Sequence, residues 1–209
     1  MRKKDIVIIG GGGHAKACID VVQCCDMYNI IGYVDREAKL DPRFNISYLG
    51  NDDTLDIYIP TCSFLIAVGQ IKYPQPRSNI FLKMLKNGAK FPSIVSPYAY
   101  ISKYAEIGIG TIVMHGAILQ ANVKVGDNCI INDRAVLEHD VIVGDCCHIS
   151  TSTTLNGGVE IGTNTFIGSG STVKNGVHIG KNVIVGMGSI VLYDILNEGL
   201  FLSANSTKK

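Results

Sequence analysis

The sequence lacks the features that mark membrane, secreted and nucleic-acid-binding proteins. None of its apolar runs approaches the roughly 20 residues that a membrane-spanning helix needs. The first residues, MRKKDIVIIGGGG, hold only a short apolar run that ends in glycines, unlike a signal peptide. The chain has 19 basic and 18 acidic residues, a net charge of +1, which gives no electrostatic basis for binding nucleic acid or an acidic membrane surface. We therefore expect a soluble protein with neither kind of partner.

Cysteine motifs are missing as well. The seven cysteines are an odd number, and no two of them are spaced as CxxC. Neither a disulfide framework nor a zinc knuckle is therefore predicted. Free thiols in this number favour a reducing compartment, so the cytoplasm is the predicted location.

The chain begins with an alternating strand and helix pattern. The segment IVIIGGGGHAKACIDVV predicts a strand, a glycine turn and a helix, with IIGYVD and SFLIAVG as two further strands. RSNIFLKMLKNG predicts a closing helix with Ile80, Phe81, Met84 and Leu85 facing inward. This order predicts a small Rossmann-like parallel α/β domain over residues 1–92.

The glycine turn has phosphate-binding spacing. Gly10, Gly12 and Ala15 form G-x-G-x-x-A after a strand, where the N–H groups that begin a helix can meet a phosphate or a hydroxyl. Asp35, at the end of the second strand, is placed to accept from a ribose hydroxyl or a base N–H. Alone, the pattern indicates NAD, but the sheet is too short for two mononucleotide halves. A purely structural tight turn is the alternative interpretation of these glycines.

No proline follows Pro97, and from there a six-residue period replaces the helical one. Every sixth residue from Val95 to Val191 is aliphatic, seventeen positions without an exception. A hexapeptide period predicts a parallel β-solenoid, in which three hexads make one coil of 18 residues. We assign residues 93–196 to this domain and 197–209 to a C-terminal tail.

Together these segments resemble a known family. The hexad series resembles that of the left-handed β-helix acyltransferases. With IVIIGGGGHAKACIDV, GYVDRE, LIAVGQ and AVLEHDVIVGDCCHIS, the chain is similar to the sialic acid O-acetyltransferase and nucleotide-aminosugar N-acetyltransferase family, typified by PglD-like enzymes. The resemblance implies acetyl-CoA as cosubstrate, a homotrimer, and an active site between neighbouring β-helices. The α/β domain would then bind a nucleotide sugar, and the left-handed β-helix would carry out the acetyl transfer.

The histidine in EHD is the candidate catalytic base. His139 lies between Glu138 and Asp140, and an imidazole held by a carboxylate can take a proton from an amine that attacks a thioester. The resemblance makes His139 the base and Asp140 its orienting partner, with Glu138 as the second candidate for that role. Gly157 lies one coil further along the same face, and family analogy gives its N–H to the acetyl carbonyl.

The resemblance also implies binding residues. The nucleotide-sugar pocket would be lined by Gly12, Gly13, His14, Asp35 and Arg36; Asn132 would line the substrate groove; and His148 would contact substrate or CoA. Arg36 departs from the acidic pair of some relatives. The family's G-x-P-A-[KR] ending is absent, which leaves Lys174, Lys181, Lys208 and Lys209 as candidate charges for CoA. His115 and His178 are expected to be solvated surface residues.

These features predict an enzyme that transfers acetyl to the amine of a nucleotide-linked 4-amino-4,6-dideoxy sugar, UDP-, dTDP- or GDP-linked. Such a product would serve bacterial surface glycans such as the lipopolysaccharide O-antigen. Cys129 and Cys147 lie at inward hexad positions, so direct transfer is favoured over an acyl-cysteine. A sialic-acid-type O-acetyltransferase and a non-catalytic nucleotide-sugar-binding protein remain alternatives. No metal is implied, since a γ-type carbonic anhydrase would need three metal-binding histidines.

Overall fold

The α/β pattern at the start of the chain forms a three-stranded parallel sheet with helices against it. The computed structural model describes residues 3–202. The elements of this part are β1 Lys4–Ile9, α1 Gly13–Cys25, β2 Tyr28–Val34, α2 Leu55–Tyr58, β3 Ser63–Ile66 and α3 Gln75–Lys86, with 3-10 turns at Pro42–Phe44 and Asp52–Thr54. The strand order is β2-β1-β3, with β1 in the centre. All three carboxyl ends therefore lie at one edge, where the glycine turn leads into α1.

The two long helices differ in how well periodicity predicted their buried faces. In α1, Ala15 and Ile19 lie four residues apart on one face of the helix, and both are buried. In α3, Phe81 and Met84 are buried, but Leu85 is 39% exposed, and Arg77 is 1% exposed. Position 77 lies one turn before Phe81 on the same face of the helix. The helical period therefore permits a buried side chain at position 77, although a charged residue is rarely buried.

Residues beyond the α/β domain wind into a parallel β-helix. Its strands are β4 Ile94–Val95, β5 Tyr100–Ile101, β6 Glu106–Ile107, β7 Ile112–Val113, β8 Ile118–Leu119, β9 Lys124–Val125, β10 Ile130–Ile131, β11 Val136–Leu137, β12 Ile142–Val143, β13 His148–Ile149, β14 Thr154–Leu155, β15 Glu160–Ile161, β16 Phe166–Ile167, β17 Thr172–Val173, β18 His178–Ile179, β19 Val183–Val185, β20 Ile190–Val191 and β21 Gly199–Phe201. They form three sheets of seven, six and five strands. Each pairs with a strand one coil away, as Ile130 does with Ile112 and His148.

The predicted hexad positions fill the interior of this helix. The aliphatic series from Val113 to Val191 lies in one buried cluster, against which Val95, Ile101 and Ile107 pack. The small position of each hexad points inward as well, and Cys129 and Cys147 are buried there as predicted. Stacking of the coils thus buries one continuous apolar column along the helix axis.

Glycines after the aliphatic positions are required by close approach between coils. A Cβ on Gly168 would lie 2.4 Å from the Met187 nitrogen, and one on Gly162 would lie 2.6 Å from the Gly180 carbonyl carbon. The left-handed backbone conformation recurs at a different hexad position, which includes Asn122 (φ 63°) and Asp140 (φ 62°). Short polar side chains tolerate that conformation because they bond locally.

The α/β domain packs on one sheet of the β-helix. A second buried cluster joins Ile19 and Val22 of α1 to Ile112 and Ile130 of the seven-stranded sheet. In the segment assigned to the tail, β21 pairs with β19, while Lys208 and Lys209 lie outside the described residues. Across 3–202, no helix has both the length and the apolar character to cross a membrane.

Candidate active site

His139 is held by a carboxylate at an outward corner of the β-helix. It follows β11, and its Nδ1 lies 2.8 Å from Oδ2 of Asp140. The other oxygen of Asp140 accepts a 2.7 Å hydrogen bond from Nδ2 of Asn122, one coil earlier. Asn122 was missed in the sequence because asparagine recurs at this position of the hexads, as at residues 128, 164 and 182, and nothing local marks one of them as a partner. Among residues 3–202, Nε2 of His139 has no hydrogen-bond partner, so this is the ring nitrogen that can accept a proton.

The charge on Asp140 is stabilised where it meets the imidazole. Hydrogen bonds from Asn122 and from His139 lower the pKa of Asp140 below its ordinary value. An ionised carboxylate on Nδ1 keeps the proton on that nitrogen and the lone pair on Nε2, the tautomer that a base requires. Glu138 makes no side-chain hydrogen bond within residues 3–202, so geometry favours Asp140 as the supporting acid.

Gly157 lies directly beneath the His139 ring. A Cβ at this position would come within 2.5 Å of both Cε1 and Nε2, so the ring occupies space that only glycine leaves open. The next residue, Gly158, donates its N–H to the His139 carbonyl at 2.9 Å. No acceptor for the Gly157 N–H is found in the described part of the chain. Gly157, whose N–H is unpaired among the described residues, is therefore a direct neighbour of the His139 ring.

A separate cleft opens at the carboxyl edge of the small sheet. Its volume is about 430 Å³, and its lining includes the five residues expected for a nucleotide sugar: Gly12, Gly13, His14, Asp35 and Arg36. Asp35 already accepts from the Gly11 N–H at 2.7 Å and pairs with Lys39 at 2.9 Å. Hydrogen bonds from Lys39, Gly11 and Arg36 outweigh burial and lower the pKa of Asp35. Lys39 adds a cation to this cleft that the motif alone did not indicate.

Two histidines meet beside the cleft, at the junction of the domains. The rings of His14 and His148 are 6.4 Å apart. His148 is 6% exposed; its Nδ1 lies 2.5 Å from the Gln70 carbonyl oxygen and its Nε2 lies 3.2 Å from Nδ2 of Asn132. Burial lowers the pKa of His14 to about 3 and that of His148 to about 4. Both rings are therefore neutral near pH 7 and act as hydrogen-bonding groups.

Arg77 and Gln70 fasten the α/β domain to the β-helix. Arg77 donates to the Asn128 carbonyl at 3.2 Å, to the Val68 carbonyl at 3.1 Å and to the Ile66 carbonyl. Gln70 donates from Nε2 to the Cys146 carbonyl at 2.6 Å. Burial lowers the pKa of Arg77 to about 10, so it stays charged. These contacts cover Cys146, which points out of its coil yet is 9% exposed.

The other two β-helix histidines are paired with acids. Nε2 of His115 lies 2.9 Å from Asp20, and Nδ1 of His178 lies 3.1 Å from Glu160. Both were expected to be solvated surface residues. His178, whose side chain is half exposed, fits this expectation better than His115, whose side chain is 29% exposed. The structure thus forms three groups: His139 with Asp140 and Gly157, the glycine cleft, and the histidine pair between the domains.

Comparison with known proteins covers both parts of the chain. A family model described as the PglD N-terminal domain matches residues 5–83. The model for the bacterial transferase hexapeptide (six repeats) matches 122–157 and 140–175, and a hexapeptide repeat of succinyl-transferase matches 158–193. A search of curated proteins finds no match.

Solved structures match over nearly the full length. PerB from Caulobacter crescentus, in complex with CoA and GDP-perosamine, is 31% identical, covers 98% of this chain and 97% of its own, and has a TM-score of 0.89. The acetyltransferase domain of PglB from Neisseria gonorrhoeae is 26% identical, with 99% of both chains covered and a TM-score of 0.90. These likenesses confirm the predicted fold class, a small α/β domain followed by a left-handed hexapeptide-repeat β-helix.

Proposed function

The chain belongs to the PglD/NeuD-like family of hexapeptide-repeat sugar acetyltransferases, and on that premise we propose that it acetylates the amine of a nucleotide-linked 4-amino-4,6-dideoxy sugar. The acetyl donor is acetyl-CoA, in keeping with the relatives that bind acetyl-CoA or CoA. PerB was solved with GDP-perosamine, an amino sugar on a nucleoside diphosphate. We propose one task for each domain: the α/β domain recognises the nucleotide, and the β-helix transfers the acetyl group.

His139 would act as the general base. The sugar amine attacks the thioester carbonyl, a C–N bond forms, and Nε2 of His139 takes the proton that the nitrogen must lose. The C–S bond then breaks, and the CoA thiolate leaves as the amide forms. The contact that carries this proposal is the 2.8 Å pairing of Nδ1 with Asp140, which stabilises the imidazolium when it appears. Glu138, without a bond to the ring, is kept only as the second candidate.

The Gly157 N–H is the proposed partner of the acetyl carbonyl. Gly157 packs against the His139 ring, and its N–H has no acceptor within residues 3–202. A backbone donor positioned before reaction stabilises the charge that develops on a carbonyl oxygen. The departure from the family's C-terminal pattern leaves Lys174 and Lys181, among the described residues, as candidate contacts for CoA phosphates.

The glycine cleft is the proposed nucleotide site. Gly12 and Gly13 are exposed at the start of α1 and have no heavy atom within 4 Å of an added Cβ, so a diphosphate can approach the helix N-terminus. Arg36 and Lys39 supply positive charge at the rim. His14 lines the cleft, and behind it His148 and Asn132 bond to each other on the β-helix; we propose that these residues contact sugar and CoA.

The site is proposed to be completed by a neighbouring subunit. His139 is absent from the lining of the glycine cleft, so a homotrimer that places one subunit's cleft near the next subunit's β-helix would bring base and nucleotide together. We further propose a cytoplasmic enzyme that supplies bacterial surface glycans.

The test is CoA release from acetyl-CoA with UDP-, dTDP- and GDP-linked 4-amino-4,6-dideoxyhexoses. We expect one nucleotide series to react, and His139→Ala to lower that rate by about 10²- to 10⁴-fold, the usual contribution of a general base. His178→Ala is the matched control, since that histidine is also exposed and bonded to an acid. Reaction of a sialic-acid hydroxyl with no amine would reassign the substrate. If the protein binds nucleotide sugars but transfers no acetyl group to any of them, it is a nucleotide-sugar-binding protein.

A further inference from the structure

Three kinds of metal-binding donor meet where α1 lies against the β-helix. Asp20 and Cys24 lie one turn apart on α1, and His115 follows β7 on the β-helix. A carboxylate oxygen, the thiol sulfur and a ring nitrogen of these residues all lie within 4.8 Å of one another. None of the three belongs to the acetyl-transfer site described above.

The His115 ring is oriented as a metal ligand usually is. Its Nδ1 lies 2.7 Å from Oγ of Ser96, and its backbone N–H donates to Asp133 at 3.0 Å. Its Nε2 points to Asp20. Histidines that bind metals commonly have the second ring nitrogen bonded to a protein oxygen, which fixes the tautomer and leaves the first nitrogen for the ion.

We propose that Asp20, Cys24 and His115 bind one divalent ion of the zinc class and thereby fasten the α/β domain to the β-helix. Thiolate and imidazole donors favour zinc over magnesium or calcium, and three protein ligands leave a fourth position for water. Ligand atoms around a tetrahedral zinc lie roughly 3.3 to 3.8 Å apart, as its bond lengths require. Oδ2 of Asp20 and Nε2 of His115, which are 2.9 Å apart, therefore need to separate by about 0.5 Å to admit the ion, and Sγ of Cys24 lies within 4.8 Å of both. Side-chain rotation at the exposed Asp20 can supply this change.

A serine hydrolase interpretation of the same residues fails on access. Ser96, His115 and Asp20 are bonded in the order of a catalytic triad. Ser96, however, is 2% exposed, and its Oγ already accepts the Tyr98 N–H at 3.0 Å. A substrate carbonyl cannot reach that hydroxyl, and the triad would leave the adjacent Cys24 without a role.

The experiment is titration of the chelator-treated full-length protein with Co²⁺ and then with Zn²⁺. We expect one equivalent of cobalt to produce thiolate-to-metal charge-transfer absorption, which zinc then removes by displacement. Cys24→Ser should abolish this absorption, while Cys25→Ser, whose thiol donates to the Val95 carbonyl, should keep it. Ser96→Ala should weaken binding by about 10- to 100-fold, as loss of an outer partner of a ligand does.

Thermal unfolding provides a second readout that is independent of acetyl transfer. One equivalent of zinc should raise the unfolding midpoint of the wild type and of Cys25→Ser, but not that of Cys24→Ser. The proposal is wrong if wild type shows no thiolate–cobalt absorption, or if Cys24→Ser shows the same absorption as wild type. In either case His115 and Asp20 form only a hydrogen-bonded pair.

Discussion

Gly157→Ala should displace the proposed base, His139, while leaving the stability of the fold nearly unchanged. The added Cβ would lie 2.5 Å from Cε1 and Nε2 of His139, whereas carbon atoms in contact stand about 3.5 Å apart or more. The ring must therefore move by about 1 Å. A displacement of that size at a reacting group costs about 10²-fold in rate, or about 2.7 kcal/mol.

Stability should change little in the same variant. Gly157 is outside the left-handed region, so alanine fits its backbone and stabilises by about 0.4 to 1 kcal/mol through the unfolded chain. The His139 side chain is 66% exposed and can turn away at a cost of about 0.5 to 1.5 kcal/mol. These effects nearly cancel, so the free energy of unfolding should stay within about 1 kcal/mol of wild type.

Steady-state rates of CoA release and denaturant unfolding test both expectations together. The matched control is Gly158→Ala, where a Cβ meets no atom within 4 Å but φ is +68°; it should lose about 1 to 2 kcal/mol of stability and keep its rate. Because alanine retains the N–H, a loss in Gly157→Ala cannot come from a missing donor. In a His139→Ala background, Gly157→Ala should have no further effect. A folded Gly157→Ala enzyme with near wild-type turnover would refute the proposed arrangement.

Three further outcomes are expected. Asp140→Asn should lower turnover by about 10²-fold because it removes the negative charge that orients and stabilises His139; equal rates in the two proteins would exclude Asp140 as the supporting acid. The pKa of His148 is about 4 in the folded protein, below its unfolded value of about 6.5. Between these two pH values the unfolded state binds more protons than the folded state does. The free energy of unfolding should therefore fall by about 3 kcal/mol as the pH drops from about 6.5 to 4. Denaturant unfolding across that range should show a shallower pH dependence in His148→Gln than in His178→Ala. Arg77→Ala should cost about 3 kcal/mol or more, because two buried carbonyls and one partly buried carbonyl lose their donor. A thermal midpoint within a degree or two of wild type would contradict the role of Arg77 between the domains.

The sequence was a reliable guide wherever a single period governs the structure. The six-residue spacing from Val95 to Val191 predicted which side chains enter the β-helix core, because every coil repeats the same geometry. The glycine turn was found equally well, since strand, turn and helix adjoin in the chain. Gly157 was placed beside His139 from its spacing, because an 18-residue coil converts sequence distance into spatial contact, whereas the pairing of His139 with Asp140 came from the EHD motif and the family resemblance.

Contacts between the two domains had no such signal. The sequence analysis did not identify the burial of Arg77, since its carbonyl partners come from Ile66 and Val68 at the end of β3 and from Asn128 on the β-helix. The meeting of His14 with His148, and of Asp20 and Cys24 with His115, likewise depends on how α1 packs against the seven-stranded sheet. The repeat thus determined the β-helix and the corner proposed as catalytic, while the docking of two independently patterned domains brought together the histidine pair and the proposed metal site. A periodic pattern specifies contacts within its own element, whereas contacts between elements depend on packing that no local spacing records.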